Sequence, residues 1–395
     1  MKKTLSSRFF TSKEALLYVI AISMTVSFSA WMSLLNNFTI EVAFFDGSQI
    51  GILQSLREIP GFLAFTVILV LAFVAQQRLA YISILVMGLG TSLTGYFPSA
   101  VGLYTTTVIM SLGFHYLETL NQSLSLQWLD KKKAPIILGK ISAAKSFSGL
   151  LVFILIYVLM NFLSVEYKYV YLIFGGISFL VGIIAWIGFT HFKETVAQDK
   201  KIRLKKEYWL FYVLTFFAGA RRQIFIVFAG FLLVEKFGVD VHNMVILLFI
   251  NSILNMYLAP KIGKFIVVFG ERIALRYEYI GLVLVFVSYS IVDNLYIAFA
   301  LFILDHLLFS MAIALKTYFQ KIANPKDIAS TSAVSFTINH IAAVFLPALL
   351  GLVWLYSHAL VFILGAGIAL ISFALSFLIP KDPRQGYETT LKKDI

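Results

Sequence analysis

The 395-residue chain has no cysteine, and Asp, Glu, Lys and Arg together make up only 13% of it. The first absence removes disulfides, thiolate metal sites and cysteine nucleophiles. The second removes a water-soluble domain, which carries roughly 25% charged residues. A phosphate-cradling GxxxxGK[ST] is missing, so ATP hydrolysis does not drive the protein. HExxH is missing too. The single HxxE, His115–Glu118, has no second cluster to complete a metal set, so neither a metal nor a cofactor is expected.

What the chain has instead is apolar length. It is 60% hydrophobic, with 38 Phe and 19 Tyr, which suit lipid-facing surfaces and interfacial belts. A membrane span needs about 20 mostly apolar residues. Twelve such stretches occur, near 14–38, 48–74, 79–97, 100–128, 135–161 and 169–190, then near 208–234, 241–259, 273–292, 295–320, 328–356 and 358–380. Asp46-Gly47, Pro98, Pro135, Pro260, Asp293-Asn294, Asn324-Pro325 and Pro380 read as turn signals between them. Met1-Lys2-Lys3 resembles the start of a secretory signal, but the run Ala15–Leu35 is too long for one and is expected to stay.

The basic residues test this count. With the N-terminus inside, alternate loops and both termini hold 24 of the 32 Lys and Arg, whereas the outer loops hold only Lys168 and Lys236. One missed or invented span would scramble that alternation. The net charge of +12 is therefore topological, and no nucleic-acid partner is expected. His191–Glu207 carries six of the cations near the middle of the chain and reads as a cytoplasmic linker. The expected organisation is an all-α integral membrane protein with twelve helices in two pseudo-symmetric six-helix bundles. Residues 1–190 form the first bundle, 191–207 the linker, 208–380 the second bundle and 381–395 a cytoplasmic tail.

Six cations fall inside spans: Arg57, Lys140, Lys145, Arg221, Arg222 and Lys316. The clear intramembrane acids are Glu58, Glu118 and Asp305. Each such charge costs about 2.5–3.5 kcal/mol on insertion scales, so it is expected to face a wet interior. Spans 3, 6 and 12 have no charge, and span 9 has charge only in its first turns, at Arg272, Arg276 and Glu278. The loop before span 9 reads Gly263-Lys264-Phe265-Ile266-Val267-Val268-Phe269-Gly270-Glu271-Arg272.

This arrangement resembles the major facilitator superfamily. The resemblance covers the whole chain through topology, linker position and polarity pattern. It implies two six-helix halves, with spans 1, 4, 7 and 10 lining a central cavity and spans 3, 6, 9 and 12 outside. The loop before span 9 keeps the two glycines and the closing Arg of the family's loop signature. Val267 stands where the family usually has Asp, which leaves the gating role attributed to that Asp without its residue. The matching loop of the first half, Ala75-Gln76-Gln77-Arg78-Leu79, has lost the signature almost entirely. Span 5 lacks the Gly-Pro element common in the family's drug/proton antiporters.

Candidate site residues follow from the intramembrane polar groups. His115, Glu118, Asn121 and Gln122 share one stripe of span 4. A carboxyl beside a His in a low-dielectric cavity suits proton coupling. The alternative is a structural pair of Glu118 with Lys140 or Lys145. Asp305-His306 of span 10 repeats the acid–His theme in the second half. Adjacent residues point about 100° apart, so Asp305 is favoured as the cavity group. Arg221-Arg222 of span 7 offers guanidinium forks for a carboxylate or phosphate, with a helix break at Gly219 as one way to satisfy the second Arg. Lys145 is a further anion contact. Arg57-Glu58, just before Pro60-Gly61, reads as a gate pair. Asn121, Asn251 and Asn339 are candidate substrate contacts, though intramembrane Asn more often bonds another helix. Gly175-Gly176 reads as helix packing.

The expectation is a secondary carrier of the bacterial inner membrane, working by alternating access and not an enzyme. Six intramembrane cations against three acids point to an anionic or zwitterionic organic solute. With no nucleotide motif, a proton gradient is the expected energy source. Protons, the solute and membrane lipids are the expected partners, and the unit is expected to be a monomer. Efflux of a drug or a natural product such as a siderophore is the alternative within transport. A lipid-acting membrane enzyme or a non-transporting sensor is the alternative outside it.

Overall fold

The computed structural model describes residues 9–45, 47–193, 201, 204–239, 241–354 and 356–391. The central part of the basic linker, 194–200 with 202 and 203, lies outside the described residues, as do Lys2, Lys3 and Arg8. Helix dominates, and no strand occurs among the described residues.

The main helices of the first half are α1 (Lys13–Glu41), α2 (Gly47–Phe62), α3 (Gln76–Thr94), α4 (Ala100–Trp128), α5 (Ala134–Tyr157) and α6 (Tyr167–Gly188). Those of the second half are α7 (Trp209–Gln223), α8 (Val241–Phe269), α9 (Glu271–Ile291), α10 (Leu295–Phe309), α11 (Ile328–Trp354) and α12 (His358–Ser376). Nine helical stretches among the described residues are long and apolar enough to cross a membrane. Those at α2, α3 and α4 are not among them. Length is not the reason for α4, which runs 29 residues. It carries His115, Glu118, Asn121, Gln122 and Gln127, which lower its hydropathy.

Four helices depart from regular geometry; α5 runs into a π-turn, Val158–Phe162, at its end. Pro60 lies in the last turn of α2, and the chain continues through a 3₁₀ turn, Ala64–Thr66, as expected where a proline removes a ladder bond. α7 runs into a π-turn, Ile224–Ala229, before a short helix, Gly230–Phe237. α10 passes through a 3₁₀ turn, Ser310–Ala312, into Ile313–Ile322. Pro260 differs from the sequence expectation. It does not end a span but lies within α8, which continues nine residues to Phe269.

The chain divides into two compact units. The first comprises 1–128, 144–202 and 329–336; the second comprises 129–143, 203–328 and 337–395. In the first, small residues bring backbones together. A Cβ on Gly88 would lie 2.7 Å from the Phe179 nitrogen, and one on Gly175 would lie 2.4 Å from the Ser92 nitrogen. α3 and α6 therefore touch backbone to backbone, as lipid-embedded helices do where dispersion and hydrogen bonds replace a hydrophobic drive. Ser27 Oγ donates to Thr91 Oγ1 at 2.8 Å and Ser178 Oγ to the Ser23 carbonyl at 3.0 Å, tying α1 to both. Gly176, the partner of Gly175 in sequence, has open space where a Cβ would stand.

The core of the second unit is aromatic and aliphatic, with Phe225, Phe228, Phe286, Phe302, Trp354 and Phe362 buried together. The segment after α12 folds back onto it. Glu388 is 4% exposed, its carbonyl accepts from the Tyr318 hydroxyl at 2.7 Å, and its carboxylate accepts from the Gly386 N–H at 2.7 Å.

The α3–α6 contact gives a paired expectation. Gly175→Leu forces the helices apart and costs about 1–3 kcal/mol, the range for overpacking. Gly176→Leu leaves stability unchanged. Apparent melting temperatures of the two purified variants in detergent check this.

Candidate functional site

In the first unit, α2 and α4 bring three charged or titratable side chains together. Arg57 Nη2 pairs with Glu58 Oε1 at 2.5 Å. The Ser111 hydroxyl of α4 donates to the Arg57 carbonyl, which holds the two helices at this level. A carboxylate oxygen of Glu58 and a ring nitrogen of His115 lie within 4.8 Å of each other. His115 is 4% exposed, and its ring stands 5.0 Å from Phe114 and 5.9 Å from Phe336, both edge-on. Phe114 in turn stacks on Phe28 of α1 at 4.2 Å. The gate pair and the coupling His of the sequence reading are thus one constellation.

Glu118, one turn along α4, is half-buried and makes no ion pair among the described residues. Asn121 follows it, also half-buried, with its Oδ1 unpartnered. Lys145 of α5 is half-buried and likewise has no acid partner among them. These three keep capacity that no described residue is seen to fill.

In the second unit the decisive cluster is deeper. Arg221 is fully buried at the end of α7. Its Nη1 donates to Ser372 Oγ of α12, its Nη2 lies 3.7 Å from Glu278 Oε1 of α9, and its guanidinium sits 4.5 Å from the Tyr279 ring centre. Asp305 of α10 is 0% exposed and lies within electrostatic reach of both Arg221 and Glu278. Neither Asp305 oxygen accepts a hydrogen bond from the described residues, and Arg221 Nε and Glu278 Oε2 also lack partners. One guanidinium and two carboxyls therefore share a volume sealed from solvent. Arg221, expected to hold a substrate anion, is occupied by the protein's own groups.

The neighbours in sequence diverge. Arg222 is half-buried, its Nε is unpartnered, and no acid of the described residues pairs with it. His306 turns away from Asp305: its Nδ1 lies 2.9 Å from the Phe302 carbonyl and its ring packs edge-on to Phe225 at 4.7 Å. Irregular backbone follows each pair, the π-turn after Arg221-Arg222 and the 3₁₀ turn after Asp305-His306. Such interruptions cluster at functional positions. Gly219 does not break α7. A Cβ there would lie 2.4 Å from the Asn339 carbonyl oxygen, so Gly219 is the close contact of α7 with α11.

The asparagines also separate. Asn339 Nδ2 donates to the Thr215 carbonyl at 3.3 Å, a helix-packing bond. Asn251 is 4% exposed, and both amide atoms are unpartnered. Asn255, one turn on, links α5 and α10: its Nδ2 donates to Ser142 Oγ at 3.2 Å and its Oδ1 accepts from Ser310 at 2.7 Å.

Glu278 and Ser372 were not singled out from sequence, because α9 and α12 read as lipid-like. The available signal was depth: Glu278 is the eighth residue of α9, about 11 Å from its start at 1.5 Å per residue. The six-to-three excess of cations also changes. Lys140 and Lys316 are exposed, whereas Glu271, Glu278, Asp305 and Asp327 are all buried. Glu271 and Asp327 are answered by Lys321 at 2.8 Å and Lys205 at 2.7 Å.

This architecture has known counterparts. A sequence profile of the Major Facilitator Superfamily matches residues 15–347, and the chain belongs to that family. It is a membrane transporter. Similar solved structures include FucP in its outward conformation, the fucose:proton symporter of Escherichia coli (TM-score 0.76, 13% identity, 93% of this chain and 99% of that one). A bacterial homologue of the iron transporter ferroportin (TM-score 0.74, 11% identity, 92% and 98%) is also similar. So is the human organic anion transporter MFSD10, or TETRAN (TM-score 0.74, 11% identity, 94% and 99%). At these identities the likeness is one of fold. No curated protein sequence matches.

The Arg221 cluster generates a stability test. Arg221→Ala strands two buried carboxyls and is expected to cost about 3–5 kcal/mol, the range for removing one partner of a buried pair. Arg221→Met combined with Glu278→Gln removes both charges and recovers most of that loss. Thermal unfolding of the single and double variants checks the sign.

Proposed function

We propose that the protein is a proton-coupled secondary carrier of an anionic or zwitterionic organic solute. It crosses the bacterial inner membrane twelve times, with both termini cytoplasmic and with α2, α3 and α4 as the three polar crossings. In this reading 1–190 and 208–380 act as the two rocking halves, joined by the linker 191–207, and the transporter works as a monomer in the lipid bilayer.

The observation that carries the substrate class is that two half-buried cations well inside the spans, Arg222 in the second unit and Lys145 in the first, have no acid partner among the described residues. An intramembrane charge that the protein leaves uncompensated is expensive, and a substrate carboxylate or phosphate supplies the missing partner. Asn251 and Asn121, with unpartnered amide atoms, offer orienting hydrogen bonds. Asn339 shapes the site through α7.

The coupling reading rests on charge balance. A sealed site with two carboxyls and one guanidinium is neutral only when one carboxyl holds a proton. Asp305 and Glu278 share that proton, with Arg221 as their fixed counter-ion. Glu118, with Glu58 and His115, is the second candidate proton carrier, in the first unit, and Arg57 restrains Glu58. Gain or loss of a proton at either locus changes which packing is favoured, as alternating access requires.

Transport into proteoliposomes under an imposed pH gradient tests this, with organic anions chosen by thermal shift of the purified protein. Arg222→Ala and Lys145→Ala are expected to weaken anion affinity by roughly tenfold or more, in line with loss of a charged hydrogen bond of about 1.5–3 kcal/mol. Asp305→Asn is expected to abolish the response to the pH gradient while substrate exchange persists, and Glu118→Gln to reduce it. Unchanged anion affinity in both cation variants sinks the substrate class. Unchanged gradient response in Asp305→Asn sinks the coupling site.

A further inference from the structure

A second site lies away from these charges, in the first unit, where the segment 68–75 leads into α3 and α4 ends, beside the start of the linker. It is a cavity of about 400 Å³, within the roughly 300–1,000 Å³ of small-ligand pockets. Its floor is polar and prearranged. Ser123 Oγ and Gln127 Nε2 both donate to Gln76 Oε1, each at 2.9 Å, and Gln127 also donates to Ser123 Oγ at 2.8 Å. Gln76, 3% exposed overall, lines the cavity, and among the described residues its amide nitrogen has no hydrogen-bond acceptor. An amide N–H at a cavity wall can meet an acceptor on a ligand.

Lys193 puts a positive charge on the rim, the His191 ring borders the cavity beside it, and among the described residues no Asp or Glu lines it. The rim is held in place by Gln77, whose amide nitrogen donates to the Thr190 carbonyl at 2.9 Å and whose oxygen accepts from the Phe192 N–H at 2.9 Å. The first turn of α11, at Ala329 and Ser330, closes another side and presents the positive end of that helix. The remaining wall is apolar. It includes Trp128, packed edge-on to Phe192 at 5.4 Å, and Phe73, which is 91% exposed.

We propose that this cavity binds the anionic headgroup of a phospholipid. A phosphate oxygen accepts from Gln76 Nε2, Lys193 and His191 face the charge, and Ile68, Leu71 and the exposed Phe73 take the glycerol and the first acyl carbons. The donors and Lys193 suit an oxyanion, and the apolar wall favours a lipid over a free anion.

The test uses the full chain in a neutral maltoside detergent, with thermal unfolding followed as phosphatidylglycerol, phosphatidylcholine or glycerol 3-phosphate is added. Phosphatidylglycerol is expected to raise the melting temperature, whereas phosphatidylcholine and glycerol 3-phosphate have little effect. Lys193→Ala, an exposed position, is expected to lower the apparent affinity for phosphatidylglycerol about fivefold, as for one interfacial cation. Gln76→Leu is expected to remove the response. Equal stabilisation by the two lipids, or an unaltered phosphatidylglycerol titration in Lys193→Ala, overturns the proposal. A glycerol 3-phosphate effect as large as that of the lipid assigns the cavity to a soluble phosphate and overturns the lipid reading.

Discussion

A charge moved out of water survives only where other groups replace the solvation it has lost. This protein meets that demand in two different ways. Arg221 and Glu278 answer one another inside the second unit, helped by Ser372 and the face of Tyr279, with the buried Asp305 within their electrostatic reach. Arg222, Lys145 and Glu118 are only half enclosed and have no such answer among the described residues. The first group is where the proposed function places the proton, because its charges cannot be diluted by solvent. The second is where it places the solute.

The apolar framework was legible because lipid imposes a simple rule. Backbone groups must be satisfied within a segment, so runs of about 20 apolar residues become helices. Helices stand at all twelve predicted stretches, although only nine are apolar enough to be spans on that measure alone. The errors were local. Pro260 looked like a boundary, yet α8 absorbs it, since one lost ladder bond is tolerable where neighbours pack closely. Gly175 and Gly176 looked equivalent, yet only one touches α3. Periodicity tells which residues share a helix face; it does not tell which face meets a partner.

The site was less legible, for a related reason. Single-residue cost identified Arg57, Glu58, His115, Arg221 and Asp305 as expensive, and the structure gives each of them specific neighbours. It did not identify those neighbours. Glu278 and Ser372 sit on helices that read as greasy, and Glu58 meets His115 across 57 positions of sequence. Pairing is a property of helix rotation and height, which a few polar residues per helix underdetermine. The sequence count of six cations against three acids failed for the same reason, since it weighed charges without knowing which were sealed.

The folded-back stretch around Glu388 bears on biogenesis. It is made after every helix it closes upon, so the Tyr318 hydroxyl gains this acceptor only after those helices have been synthesised. Making the helices and closing this stretch onto them are thus separate events. A chain paused before it would have all these helices and still lack the Glu388 acceptor.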